Sequence, residues 1–286
     1  MNKGKTGRSA MLFLIPSLLG MGIFYVIPLV GTFVSTLMSG VIKPTFVGLK
    51  NYQELITNPI FRLGLKNTLI FISMAVPIGI LVSLVIALGI KKLSTHKRLL
   101  QCIVLIPLVI PTASVAFFWK KFFEKNGPFT QLLSYFVSTD VDWLQSNWGL
   151  FIMVFIYVWK NLGYNTILFT AALYNIPDSY YESAALDGGS GWRVFRYITL
   201  PCILPTGGIV MIMSIMNSFK VFKEIYLIAG AYPHESMYLL QHYMNNVFNK
   251  LDYQKLTTAA YIFLVLVIIG KKGFQFMVRR GCNSEG

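Results

Sequence analysis

Apolar and polar stretches alternate along this chain on the scale of a lipid bilayer. Residues 10–38 form one apolar run, and Thr68 to Ile90, Leu99 to Trp119, Gly149 to Tyr174, Leu204 to Phe219 and Leu256 to Gly270 form five more. The second run is the cleanest: as a helix, its uncharged residues would cover about 34 Å, enough for the hydrocarbon core. The sixth is short, and Lys271 and Lys272 behind it can snorkel toward the headgroups. Pro16 and Pro28 in the first run are expected to kink or divide its helix, which neighbouring helices can tolerate, and Pro107 and Pro111 lie within the third run. The pattern predicts an all-α integral membrane protein of six transmembrane helices. Val41 to Lys66 and Val221 to Lys255 read as polar connections. The first run exceeds a signal peptide's apolar region and lacks a small-x-small cleavage site, so it is expected to be a retained span.

Composition agrees with the pattern. Of 286 residues, 55% are hydrophobic and 13% charged, too apolar a balance for a soluble domain. The net charge of +14 does not point to nucleic acid, because the basic residues flank apolar runs instead of forming one patch. With the N-terminus inside, the inner segments hold Lys3, Lys5 and Arg8, then Lys91, Lys92, Lys97 and Arg98, then Arg193 and Arg196, and finally Lys271, Lys272, Arg279 and Arg280. That bias favours a cytoplasmic basic N-terminus over residues 1–9 and both termini inside. Cys102, Cys202 and Cys282 then all face the reducing side, and no disulfide is expected. Trp143 and Trp148 suit a membrane–water interface.

Between the fourth and fifth runs lies a polar, glycine-broken island, Asn175 to Thr206. Pro177 stops the arriving helix. Ser179-Tyr180-Tyr181-Glu182 has capping-box spacing, and a helix of about two turns should follow, closed at Gly188. A second short helix is expected near Ser190. Ser183, Ala184 and Ala185 are small, so another surface can approach the backbone. Asp187 near a helix C-terminus opposes the macrodipole and asks for a compensating partner, which Ser190, Arg193, Arg196 or a basic group on another chain could provide.

The island is similar to the EAA loop of ABC-importer permeases. That pattern runs Glu-Ala-Ala, three residues, Gly, an aromatic-containing turn and Ile-x-x-Pro. Glu182, Ala184, Asp187, Gly188, Phe195, Ile198 and Pro201 fall on it, with Ser183 in place of the first Ala and Gly189 in place of another small residue. The resemblance runs roughly from Lys50 to Val278 and is closest to the first permease of carbohydrate systems of the maltose and glycerol-phosphate type. It implies a MetI-like bundle over residues 66–280, with the coupling loop at 175–205. Glu182, Ser183, Ala184, Asp187, Gly188 and Arg193 would then face an ATPase. It further implies a second permease in a heterodimer, two ATP-binding subunits, an extracellular substrate-binding protein and a bacterial-type inner membrane. Phe222 to Pro233 resembles the "Phe-Asp…Thr-x-Gly-Gly-Pro" signature of the same group, with the acidic position shifted and Gly-Gly-Pro become Gly-Ala-Tyr-Pro.

No Walker motif, His-Glu-x-x-His or nucleophile elbow is present, and His96, His234 and His242 are scattered in predicted loops. The chain therefore reads as a transport subunit that binds no cofactor, with ATP and Mg²⁺ on partner subunits. An ionisable group at membrane depth needs a polar cavity or a partner. Lys160, Asn161, Asn165 and Asn217 could line a path whose ammonium and amide groups suit the hydroxyls of a sugar, or could serve only helix–helix hydrogen bonding. Glu182 is likewise open between a cap and a coupling contact. The cargo could equally be a polyol or a sugar phosphate. An ion-coupled secondary transporter would call for inverted repeats, which the chain does not display.

Overall fold

The computed structural model describes residues 14–40, 44–93, 97–136 and 141–283, with side chains to residue 270. The basic flank at 1–9, the first residues of the first run, His96, Asp140 and the side chains of Lys271, Lys272, Arg279, Arg280 and Cys282 lie outside it. The chain divides into two compact units, residues 1–62 with 244–286, and residues 63–243.

In the first unit, α1 (Leu14–Thr36) is one helix despite its prolines. A π-helical turn at Gly22–Val26 ends two residues before Pro28. Widening the helix there is how a chain accommodates a ring that would otherwise strike the preceding turn. Thr32 Oγ1 lies 3.1 Å from the Tyr261 hydroxyl of α13 (Tyr253–Asn283), and Phe33 meets the same ring edge-on at 5.3 Å. The segment expected as a polar connection is more ordered than its composition suggests. It holds a two-residue antiparallel pairing of β1 (Met38–Ser39) with β2 (Thr45–Phe46), then α2 (Lys50–Thr57), and α3 (Pro59–Lys92) begins nine residues ahead of the predicted span. Asn51 Nδ2 donates to the carbonyls of Thr36 and Met38, both at 2.8 Å, and Thr36 bonds the Tyr52 hydroxyl at 2.7 Å. These side-chain bonds, made across 13 to 16 residues of chain, order the polar segment.

The second unit is built around α7 (Gly149–Tyr174), which packs against α4 (Lys97–Val109) and α10 (Leu200–Ser218). α5 (Thr112–Phe123) packs on α11 (Phe222–Ala229). One apolar core joins Trp119, Phe123, Ile152, Met153, Ile156, Tyr157, Val221, Ile225 and Met237. Another joins Ala87, Phe169, Leu173, Ile176, Ile203 and Val210. The third predicted span is not one helix: α4 and the stretch Thr112–Ser134 meet at a 92° bend. Pro111, with extended ψ of 140° and no N–H to give, sits at the break, and α6 (Pro128–Ser134) closes the second arm.

Among the described residues, four helical stretches are long and apolar enough to cross a membrane: Leu14–Thr36, Pro59–Lys92, Gly191–Ala229 and Tyr253–Gly270. The bent pair makes a fifth if taken as one span. The fourth predicted span, α7, is long enough at 26 residues but is not in this set. Of its polar residues, Asn165, Thr166 and Thr170 are buried within the unit. The stretch Gly191–Ala229 is longer than its predicted core. It opens with α9 (Gly191–Val194), widens into a π turn at Phe195–Thr199 just before Pro201, and tightens to 3₁₀ at Phe219–Val221.

The expected second polar connection also contains structure: α11 and α12 (Leu240–Asn249). Asn67 Nδ2 donates to the carbonyls of Glu235 and Tyr238 (2.6 and 2.9 Å), and Thr68 Oγ1 accepts from the Leu240 amide at 2.9 Å. Gly64 permits this approach, since a Cβ there would come within 3.2 Å of Leu239 and Leu240 backbone. His242, placed in a loop from sequence, is a buried residue of α12, outside the membrane-crossing stretches. Its Nδ1 accepts from the Leu239 amide at 3.1 Å, while Nε2 is buried without a partner among the described residues. Burial pushes the imidazole down to about 4. The unfolded chain binds this proton near the ordinary 6.5, whereas the folded chain resists it until about 4, so stability falls as pH drops through that window. The full loss is about 3 kcal/mol. Thermal unfolding in detergent at pH 7 and pH 4.5 should show it. His242→Asn, which keeps an acceptor for the Leu239 amide, should flatten the profile.

Candidate functional site

Two features of the second unit carry the chemistry expected from sequence. The first is a cavity of ≈ 360 Å³ bounded by α7, α10 and α11, within the size range of small-molecule sites. Lys160, Asn161 and Tyr164 reach it from α7, Asn217 from α10, Lys220 from the 3₁₀ turn and Glu224 from α11. Leu108, Ile156, Met213 and Val221 give it apolar walls.

Lys160 forms an ion pair with Glu224, and its Nζ also donates to Thr112 Oγ1 at 3.1 Å. One ammonium therefore joins α7, α11 and the start of α5 just beyond the Pro111 break. Glu224 is 3% exposed, and its Oε2 has no partner among the described residues. A buried carboxylate oxygen left unmatched is unfavourable and is a natural acceptor for a hydroxyl. Lys220 Nζ donates to Asn217 Oδ1 at 2.9 Å, and Asn161 Nδ2 to the Tyr157 carbonyl at 2.9 Å. The Asn161 carbonyl oxygen and the Tyr164 hydroxyl complete a surface of mixed donors and acceptors.

Three of the four path residues read from sequence, Lys160, Asn161 and Asn217, thus meet in one cavity. Asn165 does not line it: it is 1% exposed, with Nδ2 donating to Ser214 Oγ at 3.1 Å. Its helix neighbour Tyr157 donates to the Ser214 carbonyl at 2.6 Å, so this part of the α7–α10 contact is interhelical hydrogen bonding. Glu224 was missed from sequence because it sat in an apparent loop, inside a signature that departs from the family pattern. The available signal was Lys160 itself, since an ammonium at membrane depth requires an anion.

The second feature is the island. α8 (Asp178–Leu186) starts two residues earlier than a Ser179 cap would place it. Pro177 occupies the N-cap with extended ψ, and no side chain caps the helix, so the expected capping box is not formed. Proline sets the entering backbone geometry, and the Asp178 carboxylate already lies in the first turn, where the macrodipole favours it. The C-terminus follows expectation. Gly188 has φ +71°, its amide bonds the Ala185 carbonyl at 3.2 Å, and the Gly189 amide bonds the Ala184 carbonyl at 2.8 Å. These are the two reversed bonds of a Schellman ending. Gly189 is also held small, because a Cβ would lie 2.8 Å from the Ala184 carbonyl oxygen.

Ser190 precedes α9 without a side-chain cap. Glu182, Ser183, Asp187, Gly188 and Arg193 are exposed, and Ala184 is half-buried. Asp187 has no ion-pair or hydrogen-bond partner from Ser190, Arg193 or Arg196, so its compensation does not come from these neighbours. The same surface carries two apolar residues that sequence reading passed over: Leu186, 90% exposed, and Trp192, 70% exposed and stacked on Phe195.

Similarity to known proteins agrees with this arrangement. Residues 68–278 match the family described as binding-protein-dependent transport system inner membrane component. The trehalose/maltose transport system permease of Thermococcus litoralis is 29% identical over 272 residues, covering 93% of this chain and 92% of that one. The sn-glycerol-3-phosphate transport system permease of Pectobacterium atrosepticum is 29% identical over 246 residues, covering 84% and 82%. Among solved structures, a chain of a bacterial ABC transporter involved in import of the acidic polysaccharide alginate superposes with TM-score 0.80 at 25% identity, over 96% of both chains.

Proposed function

This chain belongs to the binding-protein-dependent transport system inner membrane components, and we propose that it is the first permease subunit of an ATP-driven importer for a sugar or oligosaccharide. In this reading it pairs with a second permease to enclose the path and rests on two ATP-binding subunits that carry ATP and Mg²⁺. It receives cargo from an extracellular binding protein. Both termini lie on the cytoplasmic side of a bacterial-type inner membrane, and the full span count is six, with α7 and the bent α4–α6 stretch included.

The observation that carries the coupling role is α8: a short, exposed helix closed by Gly188 and bearing exposed Leu186, with Trp192 exposed in the segment that follows. A protruding apolar tip of this kind suits a cleft on another subunit. ATP-driven closure of the ATPase pair moves α8, and the bundle reopens outward. Cargo leaves inward after hydrolysis. The scheme requires α8 to favour different ATPase conformations, since an element with equal affinity for both transmits nothing.

The cavity supports the cargo class. Hydroxyls both donate and accept, and the lining sets the Asn161 and Asn217 amides and the Tyr164 hydroxyl beside the Lys160 and Lys220 ammonium groups. Relatives named for trehalose/maltose and for glycerol phosphate bracket the candidates as neutral sugars, polyols and sugar phosphates.

Gly188→Val tests the coupling. Nothing lies within 4 Å of a Cβ at Gly188, so the substitution strains only the left-handed backbone, by about 1–2 kcal/mol. Uptake by the reconstituted importer, assayed with neutral oligosaccharides, polyols and sugar phosphates, should collapse together with cargo-stimulated ATP hydrolysis, while membrane insertion survives. Unchanged uptake would count against coupling through α8.

A further inference from the structure

We infer that Tyr181, clamped by Lys91, is the strut through which α8 passes its movement to the bundle; the inference rests on the coupling role proposed above. α8 has no buried residue, and only Tyr181 and Ala184 are half-buried. Such a helix is held by its two covalent ends and by whatever those side chains touch. Its ends are Pro177 and the Gly188–Gly189 turn, neither of which extends the helix into its neighbours.

Tyr181 packs against the core of Leu173, Ile176 and Ile203. Its hydroxyl lies 3.2 Å from Lys91 Nζ and 3.3 Å from Thr199 Oγ1, in the π turn that leads into α10. Lys91 stands in the last turn of α3, and its Nζ also donates to the Leu173 carbonyl at 2.9 Å, in the last turn of α7. There the unpaired carbonyls and the negative end of the macrodipole favour a cation. The same ammonium sits 4.2 Å from the Tyr181 ring centroid, a cation–π distance. One ring and one ammonium therefore fasten α8 to α3, α7 and the approach to α10. α7 and α10 are helices that carry the cavity's Lys160 and Asn217. A push on Leu186 reaches them through Tyr181. In this arrangement Lys91 is a positioning residue, acting through the ring it holds.

The test uses the assembled importer in proteoliposomes, in a background with Cys102, Cys202 and Cys282 replaced by Ser. Leu186→Cys reports crosslinking to the ATPase, and in a parallel sample Asn217→Cys reports cavity exposure to a membrane-impermeant maleimide. MgATP with vanadate should change the labelling rate at Asn217→Cys by about tenfold when α8 is coupled. Tyr181→Ala and Lys91→Met should reduce that response to less than about twofold while the Leu186→Cys crosslink persists, and Lys91→Arg should restore part of it. Persistence of the full response in Tyr181→Ala, with the crosslink intact, overturns the strut. Absence of the crosslink with Tyr181 and Lys91 unaltered overturns the coupling role beneath it, and this inference with it. Should Tyr181→Ala fail to assemble, Lys91→Met and Tyr181→Phe decide, since both nearly preserve volume: a full response in both overturns the inference.

Discussion

Replacing Glu224 with Ala is expected to destabilise the permease by about 3–5 kcal/mol and to abolish uptake. The expectation follows from burial. Glu224 is almost wholly enclosed and Lys160 largely so, and each is the other's counter-charge. Removing the carboxylate leaves an ammonium with only Thr112 as its remaining partner among the described residues. Lys160→Met alone should be comparably harmful, because it leaves the carboxylate buried without a cation. The double variant Lys160→Met with Glu224→Leu removes both charges and refills the volume, so it should recover most of the stability. It should not recover uptake if the pair also meets cargo, since the carboxylate and the ammonium are then gone. Thermal unfolding of the purified complex, set against uptake in proteoliposomes, separates these roles. A double variant that transports normally would reduce the pair to a structural bolt.

The membrane-spanning pattern was legible because lipid imposes a simple rule on composition, and α1, α3 and α13 follow it. The bend at Pro111 was not read from sequence, where the third run passed as one span. Proline removes a hydrogen bond wherever it occurs, yet Pro77, Pro107 and Pro205 sit inside continuous helices, so tertiary packing decides whether a given proline breaks one. The polar connections were under-read for a different reason. α2, α11 and α12 are short, and side chains such as Asn51 and Thr68 hold their surroundings through partners distant in sequence.

The same division applies to the candidate site. Gly188 announced itself, because a left-handed helix ending has a strong residue preference. Ser179 misled, because capping-box spacing cannot tell whether a proline just upstream already sets the helix start. Lys160, Asn161 and Asn217 stood out as polar residues in apolar runs. Asn165 carried the same signal but faces Ser214, and no pattern in one helix reveals which neighbour waits on the other side. Tyr181 gave no signal at all, since its role depends on Lys91, ninety residues away.

Gly163→Val is expected to abolish assembly of the bundle while leaving the chain membrane-inserted. A Cβ at this position would lie 2.3 Å from the Val104 carbonyl oxygen and 3.0 Å from Leu105 Cα. Both are backbone atoms of α4, so no rotamer change relieves the clash, and α4 and α7 must separate. Overpacking in a filled interior typically costs 1–3 kcal/mol, and a β-branched residue against fixed backbone should reach or exceed the upper end, about 3 kcal/mol. Small residues at close helix crossings are how membrane bundles gain dispersion contact, so the loss includes attraction as well as strain. Lys160 lies one turn from Gly163 on α7, which means the same displacement would pull the ammonium away from Glu224 and Thr112. Gly89→Ala is the matched control: nothing lies within 4 Å of its Cβ, so helix propensity favours the substitution and the melting temperature should not fall. Comparable melting curves for Gly163→Val and Gly89→Ala would mean that α4 and α7 do not approach as closely as their backbone contact at Gly163 requires.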